Sequence, residues 1–325
     1  MNVATSAFIP PVGAALRDWL SAQSSAWMGA KMAGSAVWQE VLSSAEIDEF
    51  REVVRRGLPP GKTAEQLTAA DLPMPLMEPR IAEWRQLIDR ERGFLLVQRL
   101  PVEEWTEEES MIAYMTICTH MGTLRVQNSR GTIIGHVRDE GVPMDLDNPR
   151  IRINETNNKI RFHVDLGDVV GLLCRHNVAR GGLSRIVSSH SVIAEVLRRR
   201  PDLEAALFTP IPFDALDMID ATGKPWRDVP ICRWRGSDLR VSFQADTIDA
   251  AQKRGMAPKL TGEQADMVAL IEEIAEDPQF HLDMYFADGE LQFINNNHTL
   301  HSRTSWEDEG DPARRRHLLR AWIVL

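Results

Sequence analysis

The sequence predicts a mainly β domain, an antiparallel sandwich or barrel, with a helical layer at its N-terminus and a helical insertion near residues 189 to 280. Three observations lead there. From about residue 123 onward, short apolar runs are broken by Gly, Pro, Asn and Asp, the pattern of strands joined by turns. Before that point, and again within the insertion, apolar residues recur at helical spacing behind Ser or Thr caps. No internal repeat or low-complexity linker divides the chain. All 325 residues are therefore read as one domain, with 1–92 as the helical layer and 93–325 as the β core carrying its insertion.

The elements follow in order. Ser43 with Glu46 fits a capping box, Ile47, Phe50 and Val54 then recur on one helical face, and Gly57 with Pro59 supplies the stop. A second amphipathic stretch, RIAEWRQLIDRERG, runs into GFLLVQRL, an apolar run between Gly93 and Pro101 that reads as a strand. Thr106 with Glu109 caps a third helix, which closes near Gly122. Strand-like runs come next: TIIGHV, KIRFHV, VVGLLCRH, SRIVSS, LQFINN and HLLRAWIVL. Two helical segments interrupt them, SVIAEVLRRRPDLEAALF and one that begins at Thr261 with Gln264.

Composition narrows the function classes. No apolar run approaches the roughly 20 residues that a spanning helix needs, and the N-terminus lacks the basic start and apolar block of a secretory signal, so a cytoplasmic protein is expected. Cys118, Cys174 and Cys232 form no CxxC pair, which speaks against a disulfide framework and a zinc–thiolate site. A net charge of −10 repels nucleic acid and anionic membranes, leaving a small molecule as the expected partner, with a homo-oligomer left open.

The chemistry concentrates in RFHVDLGD. On a strand, residues two apart share a face, so His163 and Asp165 can grip one ion. A second histidine would complete a two-histidine, one-carboxylate triad, which holds iron(II) on one side and leaves positions open for reaction. A second such pair, His281 with Asp283, is expected at the surface. His301, in the turn-rich INNNHTLHSRT, is a candidate third ligand, and His298 competes with it. Downstream, Arg316 and Arg320 are four residues apart. Arg320 has apolar neighbours on both sides, so it is costly there unless it meets an anion. His136, Arg138, Asn157 and Asn158 precede the metal-binding stretch and are candidates to line a substrate cavity.

The combination of His-x-Asp in FHVDLGDVVGLLC, GG-x-Ser in GGLSRIVSS, NNHxxLH in LQFINNNHTLHSRT and RxxxR in RRRHLLRAWIV resembles the taurine dioxygenase-like (TauD/TfdA) family of iron(II)- and 2-oxoglutarate-dependent oxygenases. GFLLVQRLP and GHVRD extend the resemblance over about residues 90 to 325. It implies a double-stranded β-helix, or jelly roll, with His163, Asp165 and His301 as iron ligands; an Asn five residues before the ligand, Asn296, selects His301 over His298. It implies that Ser184 assists Arg316 in binding the distal carboxylate of 2-oxoglutarate, and that Arg320 matches an arginine that meets the substrate's sulfonate in taurine dioxygenase. Val164, where Thr or Ser is common, and CRHNVARGG, without the expected proline, depart from the pattern. The implied reaction couples decarboxylation of 2-oxoglutarate to succinate with O2-dependent oxidation, chiefly hydroxylation, of an unactivated C–H bond in a small carboxylated or amino-acid-like molecule. The rival readings are a silent metal-binding β-sandwich and a non-haem iron oxidase that uses no 2-oxoglutarate.

Overall fold

Helix starts fall where Ser43, Thr106 and Thr261 mark them. The computed structural model describes residues 8–62, 66–141, 155–178, 180–216, 219, 223–308, 310–311 and 314–325. Its helices are α1 (Ala14–Ser21), α2 (Gly29–Ala33), α3 (Ser44–Arg56), α4 (Met77–Arg90), α5 (Glu107–Met121), α6 (Ser189–Arg199), α7 (Glu204–Phe208), α8 (Ala245–Lys253) and α9 (Gly262–Ala275). In α3, α5 and α9 the cap hydroxyl accepts from the N–H three residues on, while Glu46, Glu109 or Gln264 accepts from the cap's own N–H. Each such cap contributes about 1 kcal/mol. The single helical stretch expected after Ser191 divides into α6 and α7, because Pro201 lacks the N–H that would continue the helical ladder.

The strands are β1 (Gln39–Val41), β2 (Phe94–Gln98), β3 (Thr123–Arg125), β4 (Ile134–Val137), β5 (Ile160–His163), β6 (Val169–His176), β7 (Ser184–Ser188), β8 (Ile211–Asp214), β9 (Trp226–Val229), β10 (Cys232–Arg235), β11 (Asp238–Val241), β12 (His281–Met284), β13 (Leu291–Asn295), β14 (Thr299–Arg303) and β15 (His317–Val324). Among the described residues, a seven-stranded major sheet runs β1-β2-β13-β6-β15-β3 with β4 also paired to β15, and a four-stranded minor sheet runs β12-β7-β14-β5. Pairing within both is antiparallel except for β1 with β2. The two sheets face each other as a jelly roll.

Alternation along the strands builds three apolar layers. Between the sheets lie Leu96, Val170, Ile294, Leu318 and Trp322 from the major sheet, against Ile186, Leu282 and Met284 from the minor one. The other face of the major sheet, with Leu95, Leu173, Phe293, Leu319 and Ile323, is covered by α3, α4 and α5 through Phe50, Trp84 and Ile117. The outer face of the minor sheet, with Phe162, Val187 and Leu300, is covered by α1, α6, α8 and α9.

Two details add to the expected layers. The stretch 1–92 carries, besides its helices, the short strand β1 beside β2. The insertion is not helical alone: it carries two antiparallel ribbons, β8–β9 and β10–β11. Their strands are four residues long, too short for periodicity to separate them from turns. No helix among the described residues is long and apolar enough to cross a membrane.

Candidate active site

His301 on β14 stands directly opposite His163, the last residue of β5. The register between these strands shifts: His301 pairs with His163, but Arg303 pairs with Ile160, so β5 holds one extra residue. This bulge turns Arg161 and Phe162 outward together, Arg161 to Glu272 and Asp246 of the insertion and Phe162 into the apolar layer beneath it. Ile160 and His163 face inward. Asp165 is therefore not the strand partner that simple alternation suggests; it lies just past the end of β5. Asn296 holds it there, its Oδ1 accepting from the Asp165 N–H at 3.2 Å.

The three side chains converge. His163 Nε2 lies 3.9 Å from Asp165 Oδ1, and His301 Nε2 lies 3.7 Å from Asp165 Oδ2. One ligand atom from each lies within 4.8 Å of the others, and all three residues are buried. His163 Nδ1–H donates to the Arg161 carbonyl at 2.9 Å, which leaves Nε2 with its lone pair toward the centre. Burial, with the nearby His301, holds the His163 pKa down at about 3, so the ring is a neutral donor at neutral pH. Burial opposes ionisation of Asp165, but the charge of Arg320 and the nearby His301 outweigh it and hold the carboxyl well below its usual range. Two imidazole nitrogens and a carboxylate oxygen, with no thiolate, are a donor set that suits iron(II). Asn296→Ala should loosen Asp165 and lower iron(II) affinity by about 10- to 100-fold, the range for losing a group that orients a ligand, as measured by competition with a chelator.

A cavity of about 40 Å³ extends from these ligands toward Ser184, Arg303, Arg316 and Arg320. Arg316, 1% exposed, donates from Nη2 to the Gly182 carbonyl at 3.2 Å, while its Nε and Nη1 have no partner. Burial lowers its pKa to about 10, so it remains charged at neutral pH. A buried guanidinium with two unspent donors is a cradle for a carboxylate. Arg320 Nη1 lies 3.4 Å from Asp165 Oδ2, and its Nε donates to Gln127 at 2.9 Å. Ser184 lines the cavity but donates its hydroxyl to Gln292 Oε1 at 3.1 Å rather than touching Arg316.

Sequence reasoning missed Arg303, Gln292 and Gln127. Arg303 was within reach of it, because it sits two residues past His301 on the same strand face. It donates to the carbonyls of Thr156 and Asn158, and its guanidinium stacks on Trp306, whose ring also faces Arg316.

Other candidates lie elsewhere. His136 points to the opposite face of the major sheet, where its Nδ1 meets His317 Nε2 at 2.8 Å beside Glu107. On β4 it is Val137 that faces the cavity. Arg175 stands 3.7 Å from Glu107 and 3.5 Å from His317, and its charge disfavours a cation in that second cluster. Asn158 is exposed, with its side chain bonded to Thr156. The Asn157 carbonyl accepts from the Trp306 N–H, and Arg138 pairs with Glu140. His298 bonds Asp238 at 2.7 Å, away from the triad. Asp283 is exposed and paired with Arg185, but His281, expected at the surface, is buried because its Nδ1 meets the Ala275 carbonyl at the end of α9.

Known proteins place this arrangement. The chain is 27% identical over 307 residues to FR-33289 synthase of Streptomyces rubellomurinus, covering 92% of this chain and 88% of that protein. It is 24% identical over 304 residues to the taurine hydroxylase-like protein SAT17 of Stachybotrys chartarum, covering 91% and 77%. Its fold matches asparagine oxygenase in complex with Fe(II), 3-hydroxyasparagine and succinate, with a TM-score of 0.65 at 16% identity over 88% of this chain and 93% of that one. It also matches the non-heme iron oxygenase OrfP in complex with Fe and alpha-ketoglutaric acid, with a TM-score of 0.65 at 13% identity over 88% and 94%. The model of the taurine catabolism dioxygenase TauD, TfdA family spans residues 55–322, and the chain belongs to that family of iron(II)- and 2-oxoglutarate-dependent dioxygenases.

Proposed function

We propose that His163, Asp165 and His301 hold iron(II), that Arg316 with Ser184 holds the distal carboxylate of 2-oxoglutarate, and that the enzyme oxidises a C–H bond of a small carboxylated or amino-acid-like molecule. One observation carries the reading: one cavity has a buried metal-ligand cluster at one end and the two unpartnered donors of Arg316 at the other. The bound iron and 2-oxoglutarate supply the chemistry, coupling oxidative decarboxylation to C–H oxidation.

The chain's own residues fix positions and charge. Asp165 and the neutral His163 ring offer lone pairs to the ion, and Arg320 keeps Asp165 ionised. Arg303 and Arg316 add positive charge where a dicarboxylate loses its hydration. Arg320 also lines the cavity and is the residue proposed to meet an anionic group of the substrate. Hydroxyasparagine and hydroxyarginine, bound in the asparagine oxygenase and OrfP structures, support an amino-acid-like skeleton.

The deciding assay follows succinate release and oxygen uptake together across a panel of carboxylated metabolites. Oxygen uptake without 2-oxoglutarate would favour the oxidase reading; no uptake with iron bound would favour the silent binding module. The Gly182 backbone supplies a second check. A Cβ there would stand 2.7 Å from Arg316 Nε, on a residue with φ +66°. Gly182→Ala should therefore displace the guanidinium and weaken 2-oxoglutarate binding by about tenfold or more while leaving iron affinity near wild type, as a titration of the anaerobic complex would report.

A further inference from the structure

The walls of the metal cavity are not the only place where arginines gather. A half-open groove of about 370 Å³ is lined by Arg125, Arg227, Arg233, Arg235 and Arg240, over an apolar floor that includes Phe213, Val229 and Phe243. Asp165 lines both this groove and the metal cavity, so the two are neighbours across that residue. Arg227, Arg233, Arg235 and Arg240 come from the two ribbons of the insertion, and Arg125 from β3 at the edge of the major sheet.

The charge balance of this groove is unlike the rest of the chain. Only two acids, Asp165 and Asp168, share the lining, and both are engaged. Asp165 faces the metal cavity and Arg320. Asp168 receives Arg240 Nη1 at 3.0 Å, the Leu325 N–H at 3.2 Å and Asn297 Nδ2 at 3.3 Å. Among the described residues, Arg125, Arg227, Arg233 and Arg235 form no ion pair; Arg235 stands opposite Asp238 across the β10–β11 ribbon, but that carboxylate is taken by Arg240 and His298. Several arginines elsewhere in this acidic protein are paired, Arg51 with Asp48 and Glu104, Arg161 with Glu272 and Asp249, and Arg200 with Asp202 and Asp266. Within the groove, Arg233 stands directly opposite Arg240 across the β10–β11 ribbon. Arg240 is paired with Asp168 and Asp238, which leaves Arg233 as the uncompensated charge of that cross-strand pair.

We propose that this groove binds a phosphoryl group carried by the prime substrate, and that its carbon skeleton extends past Asp165 to the iron. The proposal rests on the function proposed above and deepens it by naming a substrate group. A planar guanidinium meets a tetrahedral oxyanion with paired hydrogen bonds, and one carboxylate or sulfonate is satisfied by a single such fork. Four unengaged arginines match a group of more than one negative charge.

Calorimetry on the protein loaded anaerobically with iron(II) and 2-oxoglutarate tests this, using 3-phosphonopropionate, O-phospho-L-serine, 3-sulfopropionate and L-serine as probes. The expected result is that one or both phosphoryl compounds bind about tenfold or more tightly than the sulfonate and than serine, with affinity falling as salt rises. The tighter of the two then tells a phosphonate from a phosphate ester. Arg233→Gln with Arg235→Gln should remove about tenfold of that affinity, and the corresponding double Lys variant should retain part of it. Equal binding of the sulfonate, no phosphoryl binding, or wild-type phosphoryl affinity in the double Gln variant would each overturn the proposal; the wild-type comparison decides it should the variants not fold. The charge-transfer absorption of the same loaded protein separates this from the reading beneath it. With the absorption present and no phosphoryl binding, only the groove proposal fails. With the absorption missing and phosphoryl binding retained, the iron and 2-oxoglutarate assignment fails instead.

Discussion

His301→Ala is expected to abolish substrate-dependent succinate formation and iron(II) retention together. His301 supplies one of the two nitrogens of the cluster, and its loss leaves, among the described residues, His163 and Asp165 within reach of an ion. Asp165→Ala should be equally inactive for a further reason, since Arg320 Nη1 lies 3.4 Å from its carboxylate. Removing one partner of a buried pair leaves an uncompensated charge and costs about 3 to 5 kcal/mol, so Asp165→Ala should also melt earlier than His301→Ala. His298→Ala is the control: its ring bonds Asp238, not the cluster, and iron should still bind. Metal analysis of the purified variants with a thermal melt checks each outcome. Retained iron and turnover in His301→Ala would refute the ligand assignment.

Arg316→Ala is expected to weaken 2-oxoglutarate binding by about 2 to 5 kcal/mol, the range for truncating one partner of a buried charge pair. The guanidinium has already surrendered its hydration, and two of its donors point at nothing, so the bound dicarboxylate recovers an interaction the free protein lacks. The same reasoning gives an opposite sign for stability. Replacing an unsatisfied buried charge with an apolar group of similar length, as in Arg316→Met, should leave the free protein as stable as wild type or more so. Arg316→Lys should not rescue, because an ammonium lacks the planar fork. Ser184→Ala should cost less than Arg316→Ala, since its hydroxyl is already bonded to Gln292. Titration of the anaerobic iron complex and differential calorimetry read the two effects separately; unchanged affinity in Arg316→Ala would move the anchor elsewhere.

Much of this architecture was legible because it is local. A capping box is four residues long, and all three proposed boxes form. Alternation along HLLRAWIV likewise sorts Leu318, Arg320 and Trp322 from Leu319, Ala321 and Ile323 without knowledge of the fold. What resisted was non-local. The extra residue in β5 is defined only against β14, so counting by twos from His163 could not reveal why Ile160 faces inward with it. His136 was misplaced for a related reason: nothing in GHV says which face of β4 meets the helices, and His317 and Glu107, which do say, are distant in sequence. The groove arginines escaped notice because Arg125 and the ribbon residues come together only after folding, and each alone looks like a solvated charge.

The attachment of the insertion to the ligand strand sets a rule for re-engineering this enzyme. Gln244 forms a β-bridge with His163, and the Phe243 carbonyl accepts from the Val164 N–H at 2.9 Å, so the segment following the β10–β11 ribbon is the backbone splint of the metal-binding stretch. A chimaera that exchanges the whole insertion to import another specificity would remove that splint along with the arginines. Grafts that stop short of Phe243 replace the ribbons and leave the splint in place, which makes the three residues after Arg240 the natural boundary between the ribbons and the segment that braces His163 and Val164.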